Sequence, residues 1–505
     1  MRASVYPLKK SKHKLYSGGS EPAEKGLIKE ECLFAGGIYA GGSAPAPSPT
    51  EYTLTITPTP ADAVVTINGE ARTTYTAAAG TAVTWSVAAD GYTAQSGELT
   101  LSEDQTLAVA LELEAVTLSV QKIITTGSTT FVLYNDGELY GCGLNANGQQ
   151  GNGTTDNVLT FTKIAGNVKD FSASYYNTFY ITRSGELYGC GRNNYGQQGD
   201  GTTDDVLTFT KRADNVKSVN AAGNTTFYLT DAGELYGCGW NNYGQQGDGT
   251  TDDVLTFTKM ADNVKSVNAT GYTTFYLTEA GDLYGCGWNN YGQQGNGTTT
   301  NVSNFAKLAE NVKEVSSEYF VTSYLTEAGE LYGAGYNNTG QQGDGTTDNV
   351  LTFTKMADNV KSVNATGYTT FYLTEAGELY GCGFNANGEQ GDGTTTNVST
   401  FTKRAENVKE IICHKNVTRY LTNDNKLYVC GYNENGTLGV GNTTNQKSFV
   451  LAGVNVKSVF GSNGDTFYVK DDVDVYGSGR NNYGQQGNGT TTKLKSFTKK
   501  TIRTE

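Results

Sequence analysis

The sequence predicts an all-β chain in which a ring of repeated four-stranded blades follows a small β domain. Three observations carry this. The stretch at 137–153, GELYGCGLNANGQQGNG, returns at 185–201, 233–249, 281–297, 329–345 and 377–393, always 48 residues on, with two worn copies at 425–441 and 473–489. A fixed period of this size marks one supersecondary unit stacked many times. Each unit also holds four short strand signals separated by glycine turns, the pattern of an antiparallel blade. A lone blade cannot bury both of its faces, whereas blades packed round an axis can, leaving only short edges. Finally, all seven prolines lie at or before Pro60, so no residue of the array lacks a ladder donor. Eight copies of each strand signal predict an eight-bladed β-propeller at 117–505. Seven blades with one unit left over is the alternative.

The unit at 263–310 shows the elements. Val264-Lys265-Ser266-Val267 alternates, and Thr274-Phe275-Tyr276-Leu277-Thr278 is a second strand ended by Glu279-Ala280-Gly281. Leu283-Tyr284-Gly285-Cys286-Gly287 is a third, and a fourth lies around Asn304-Phe305-Ala306-Lys307. Asn296-Gly297 between them supplies the positive φ of a tight turn. The array opens with its Val-x-x-Val strand and ends with Phe497-Thr498-Lys499. Closure is therefore expected to rest on face packing more than on strand exchange.

The recurring L-Y-x-C-G-x-N-x-x-G-Q-Q-G-x-G resembles the repeat of the regulator of chromosome condensation family, with Gln150 and its equivalents where many members have leucine. The resemblance covers about three quarters of the chain and implies a β-propeller, usually of seven blades. The acidic array lacks the family's recurrent histidine after the first strand. The nucleotide-exchange activity of the namesake is accordingly not expected here, and fold alone does not transfer function.

Ahead of the array, residues 51–116 read as a small β-sandwich. Tyr52-Thr53-Leu54-Thr55-Ile56 has period two, Val64-Val65-Thr66-Ile67 runs into the hairpin signal Asn68-Gly69, and Thr84-Trp85-Ser86-Val87 precedes Gly91-Tyr92. Pro60, Ala63, Val65, Ile67, Asn68, Gly69, Gly91 and Tyr92 together resemble PEGA-type domains, which implies an immunoglobulin-like spacer. Residues 1–50 have no sustained period and end in a Pro/Gly linker, 41–49. They read as an extended tether that anchors the chain to a particle or protein. A leader with no partner is the alternative. Arg2, Lys9, Lys10, Lys12 and Lys14 form its one basic cluster, read as a solvated tail.

Composition excludes several classes. The net charge of −14 argues against a nucleic-acid groove, which needs clustered Lys and Arg. No signal peptide and no run of about 18 apolar residues is visible, so neither export by that route nor a membrane span is expected. Cys142, Cys190, Cys238, Cys286, Cys382 and Cys430 share one repeat position where two copies have Ala334 and Ser478. A residue exchanged for Ala or Ser is a small buried filler rather than half of a disulfide. Only two histidines occur, His13 and His414, and no phosphate loop or metal cluster is present. Asp200-Gly201-Thr202-Thr203-Asp204-Asp205 and Asp248–Asp253 offer oxygens suited to calcium. Siblings substitute Asn152, Asn296 and Thr300 there, so these acids read as turn residues. No cofactor, no metal and no enzymatic activity are expected.

Recognition should lie where near-identical repeats differ. After the third-strand glycine the copies read Leu144, Arg192, Trp240, Trp288, Tyr336, Phe384, Tyr432 and Arg480; three residues on come Tyr195, Tyr243, Tyr291 and Tyr483. The turn between first and second strands carries Tyr175-Tyr176, Asn224, Tyr272, Tyr319-Phe320, Tyr368 and His414-Lys415. Aromatic and arginine side chains among amides suit a protein or glycan site on a propeller face. The alternative is that they pack between blades. The absent signal peptide and unpaired thiols, together with a resemblance to domain combinations of phage and gut bacteria, imply a display protein of a phage virion, a fibre or capsid-decorating component; a bacterial protein-binding scaffold or inhibitor is the competing expectation.

Overall fold

In a computed structural model, residues 50–61, 63–89, 92–112 and 117–503 are described. The expected tether, with the linker and basic cluster, and Gly91 of the PEGA-type pattern lie outside them. The chain divides into two units, Met1–Ala115 and Val116–Glu505.

The first unit has seven strands: β1 (Glu51–Thr59), β2 (Val64–Ile67), β3 (Glu70–Ala71), β4 (Thr74–Ala78), β5 (Ala82–Ala88), β6 (Gln95–Thr100) and β7 (Gln105–Ala110). They form two sheets, β4-β1-β7 and β3-β2-β5-β6. The hairpin between β2 and β3 turns on Asn68 (φ 51°) and Gly69 (φ 78°), as a two-residue type I′ turn demands. Alternating residues of both sheets, among them Leu54, Ile56, Val65, Ile67, Val83, Val87 and Val109, meet in one core.

The second unit consists of eight four-stranded antiparallel sheets, each made of four consecutive strands. Blade 1 is β8 (Val120–Thr125), β9 (Thr129–Tyr134), β10 (Leu139–Gly143) and β11 (Val158–Ala165). Blade 4 is Val264–Ala269, Thr273–Thr278, Leu283–Gly287 and Val302–Ala309. First strands of neighbouring blades approach one another all round the ring and so line its channel. The half-exposed fourth strands form the rim.

Packing between blades follows the Phe-Tyr-Leu of the second strand. Phe227, Leu229 and Leu235 of blade 3 bury against Val264 and Tyr276 of blade 4. Tyr276 in turn stacks on Tyr284 at 4.9 Å and meets Phe305 edge-on at 4.8 Å. The Gly-Gln-Gln-Gly segment passes close beneath the next blade: a Cβ at Gly199 (φ +67°) would sit 2.3 Å from Cδ2 of Phe257. The shared cysteine slot also links blades. Cys286 Sγ donates to Gln245 O (3.4 Å), and in blade 8 the hydroxyl of Ser478 donates to Thr437 O (3.3 Å). The seven cysteines among the described residues are all free and buried.

Eight short bridges join the turn after each third strand to the next blade's fourth strand. Seven run in sequence from Asn152↔Thr208 to Val440↔Ser496, and the eighth, Asn488↔Thr160, returns to blade 1. The ring is thus closed with eight blades, and the seven-bladed alternative is set aside. No blade borrows a strand. Ile502 enters a core shared by blades 8 and 1, with Ile123, Val132, Tyr134, Phe467 and Val475. Arg503 pairs with Asp136 (2.7 Å) and Glu138 (2.9 Å) of blade 1.

Candidate functional site

Antiparallel strands place the first turn and the third-to-fourth loop of every blade on one face of the ring. A repeated hydrogen bond ties the two together. The N–H of Trp240 donates to Asn224 O (2.9 Å), that of Trp288 to Tyr272 O (2.9 Å), that of Tyr336 to Phe320 O (3.0 Å) and that of Arg192 to Tyr176 O (3.1 Å). Phe384, Tyr432 and Arg480 repeat it to Tyr368, Asn416 and Gly464. The two variable sets are therefore one surface.

The loop beneath is held by buried amides. Asn193 Oδ1 accepts from the N–H of Gln198 (2.8 Å), and Gln198 Nε2 donates to Cys190 O (2.8 Å). The first glutamine of each pair orients the aromatic: Gln197, Gln245, Gln293 and Gln485 Oε1 accept the N–H of Tyr195, Tyr243, Tyr291 and Tyr483 at 2.9–3.0 Å. Buried polar groups are costly unless paired, so these recurrent amides, replaced by Glu389 in blade 6 and by Thr437 and Leu438 in blade 7, fix the frame on which variable side chains stand. The acidic turns belong to the same frame. Asp200 accepts from Thr202 N and Oγ1, from Asn193 Nδ2 and from Arg212, which holds its carboxyl below the usual range against the effect of burial. Among the described residues no three His, Cys, Asp or Glu side chains converge as a metal site would require.

The aromatics form an arc, not a full ring. It begins at Tyr175 and Tyr176 (centroids 4.7 Å apart), with the guanidinium of Arg192 over Tyr176 at 4.8 Å and near Tyr195 at 5.8 Å. Tyr195 leads to Trp240 (6.0 Å), Trp240 to Tyr243 (5.3 Å) and Tyr272 (5.4 Å), and both tyrosines to Trp288 (5.7 and 5.6 Å). Trp288 continues to Tyr291 (5.6 Å) and Phe320 (5.3 Å), and Tyr291 to Tyr336 (5.0 Å). Such edge and offset contacts between blades stiffen the patch. The side chains are half exposed, and Tyr175 is 38% exposed. They thus pack against one another across blade boundaries while keeping a surface to solvent.

Blades 6, 7, 8 and 1 break the arc. Tyr368 and Phe384 make an isolated pair (6.0 Å), and the hydroxyl of Tyr432 donates to Glu434 (3.1 Å). Arg480 lies over Gly464, Tyr483 touches no other aromatic ring among the described residues, and Leu144 is buried. Only blades 2–5 place aromatics in contact from one blade to the next.

Sequence reading missed two features. Blades 3, 5 and 7 carry tighter hairpins, on Gly223 (φ 64°), Tyr319 (φ 51°) and Lys415 (φ 44°), at the ends of longer strands. Lys415 Nζ lies 4.8 Å from the Tyr319 ring centroid, and His414 Nδ1 lies 3.9 Å from Glu318 Oε1. Burial pushes the Glu318 carboxyl up to about 7, against the pull of Lys415, and pushes the His414 imidazole down to about 4. A cleft of about 350 Å³ lies beside Tyr319, lined also by Tyr175, Tyr176, Asn224, Trp240 and Tyr272. Side chains from blades 2–5 that are up to 144 residues apart in sequence meet there, which no local pattern signals.

The second unit is an eight-bladed β-propeller with an aromatic arc on one face. Its repeats are of the regulator of chromosome condensation (RCC1) type: that family model matches 168–197, 216–245 and 264–293, each from the first strand to the first loop glutamine. Solved structures with the same fold include human WBSCR16 (20% identity, 61% of this chain and 87% of that one, TM-score 0.50) and yeast RCC1 (Prp20) bound to Kap60 (16%, 63% and 83%, TM-score 0.50). Prp20p from Saccharomyces cerevisiae, described with its binding to Gsp1p and histones, is similar at 16% identity, 64% of this chain and 87% of that one, TM-score 0.50. At these identities the likeness is one of fold. No curated protein matches the chain. Residues 51–110 match a head fiber dimeric protein-like domain, where the sequence had suggested a PEGA-type domain.

Proposed function

We propose that the chain is a non-enzymatic binding and display protein of a phage virion, whose propeller recognises a host surface through the aromatic arc. The observation that carries the reading is the head-fiber domain match at 51–110 directly before a propeller whose variable side chains gather on one face. Rigid aromatics with a flanking arginine are what interface anchors are made of. Residues 1–50 act as the anchor to the particle in this reading, and the small β unit as the spacer.

Mass spectrometry of purified particles should find the chain with the capsid proteins; its absence there would remove the virion role. Trp288→Ala in the full chain should weaken binding to envelopes of the host strain about tenfold or more, since a central aromatic anchor carries 1–2 kcal/mol or more. Unchanged binding would take the arc out of the site.

A further inference from the structure

We propose that the cleft between Tyr175, Tyr176, Asn224, Trp240, Tyr272 and Tyr319 is a subsite for one uncharged sugar ring; this rests on the host-surface reading above. Its volume of about 350 Å³ lies at the small end of ligand pockets, suited to a small cyclic molecule rather than to a folded partner. Three kinds of group line it. Four tyrosines and a tryptophan supply flat apolar faces, and Trp240 and Tyr272 meet edge to face at 5.4 Å, so their mutual angle is fixed. Gly223 and Gly271 leave the wall low between them, with their carbonyls already taken by Asn177 Nδ2 (2.8 Å) and Gln245 Nε2 (3.1 Å). The third is a polar group without a partner: Asn224 Oδ1 is buried and accepts no hydrogen bond among the described residues.

An unpaired acceptor shielded in this way is costly, and a turn of the Asn224 amide toward the cleft would let a ligand hydroxyl relieve it. The hydroxyls of Tyr175, Tyr176, Tyr272 and Tyr319 likewise make no hydrogen bond to the protein among the described residues, so the lining offers several donor–acceptor groups beside aromatic faces. A pyranose matches this pairing, with apolar C–H faces for the rings and hydroxyls round its edge. No ionised side chain lines the cleft, and the two cations at its margin, Arg192 and Lys415, are already stacked on Tyr176 and Tyr319. An anionic sugar would thus lose its hydration without gaining a counter-charge.

The test titrates the full chain with methyl glucoside, galactoside and mannoside, with N-acetylglucosamine, and with N-acetylneuraminate and glucuronate, following tryptophan fluorescence and ligand-observed NMR. At least one neutral sugar should bind with a Kd below about 10 mM. Trp240→Ala and Asn224→Ala should each weaken it about tenfold or more. Asn224→Ala is a safe change in folding terms, because Ser128 and Gly464 hold the equivalent position in other blades. Binding of the acidic sugars alone, no binding of any, or binding indifferent to Asn224→Ala would overturn the subsite. If Trp288→Ala still weakens envelope binding in that case, the aromatic face stands and only the sugar subsite falls; if it does not, both fall.

Discussion

Asp465 shows how one exchanged residue alters the ring's chemistry. It opens a second strand where blade 2 has Asn177 and four others have Thr129, Thr225, Thr273 and Thr369. It is fully buried and accepts from Thr125 Oγ1 (3.2 Å) of blade 1 and Gln486 Nε2 (3.3 Å). Burial pushes its carboxyl up to about 7. Between about pH 4 and 7 the folded state therefore keeps a proton that the unfolded chain has released. Its contribution is full below the unfolded value and is lost as pH rises through 7. His414, pushed down to about 4, has the opposite slope below pH 6.5, so only parent and variant compared at each pH isolate Asp465. Asp465→Asn keeps the shape and removes the proton. Urea denaturation should show the variant gaining stability relative to the parent from pH 5 to pH 8; a constant difference would mean that the group does not titrate in this window. The exchange of Asn for Asp was visible in the sequence, but its burial was not. The cysteine slot was legible because Ala334 and Ser478 mark it as a filler position, whereas Asn224 gave no sign of an unmet oxygen.

At the scale of elements, strand and turn signals located the blade because alternation and glycine are local properties. The bulge that opens the first strand of blades 1–7, as between Val264 and Ser266 opposite Thr278 and Leu277, had no such mark. Nor did the tighter hairpins on Tyr319 and Lys415. The close approach of the Gly-Gln-Gln-Gly loop to the next blade makes its last glycine obligatory. Gly199→Ala combines a left-handed backbone with a Cβ 2.3 Å from Phe257. It should cost about 2–4 kcal/mol, from the strain of a positive φ and from overpacking. Gly166→Ala is the control. Nothing lies within 4 Å of its Cβ and its φ is negative, so it should be neutral or stabilising by up to about 1 kcal/mol. Equal effects of the two, measured by denaturant midpoints at constant m-value, would refute the contact argument.

For the whole molecule, the count of eight was open to arithmetic, while the manner of closure was not. The period says what each unit looks like and nothing about the residues after the last strand. Those residues make the seam. Ile502 is 7% exposed in the core between blades 8 and 1, and Arg503 reaches two carboxylates of blade 1. Stacked repeats hold one another by nearest-neighbour interfaces, and between blades 8 and 1 no chain connection backs them, so this interface depends most on side-chain packing. Ile502 and Arg503 should differ in weight. Ile502→Ala removes buried methyl groups and should cost about 2 kcal/mol or more. Arg503 and its partners are 23–31% exposed, so their pairing is screened and Arg503→Ala should cost less than about 1 kcal/mol. Opening at the seam should show first in hydrogen exchange, as faster exchange of β8 and β9 in Ile502→Ala while blades 3–5 stay protected. Uniform acceleration round the ring would mean that the eight blades unfold as one unit and that closure at this seam is no weaker than anywhere else.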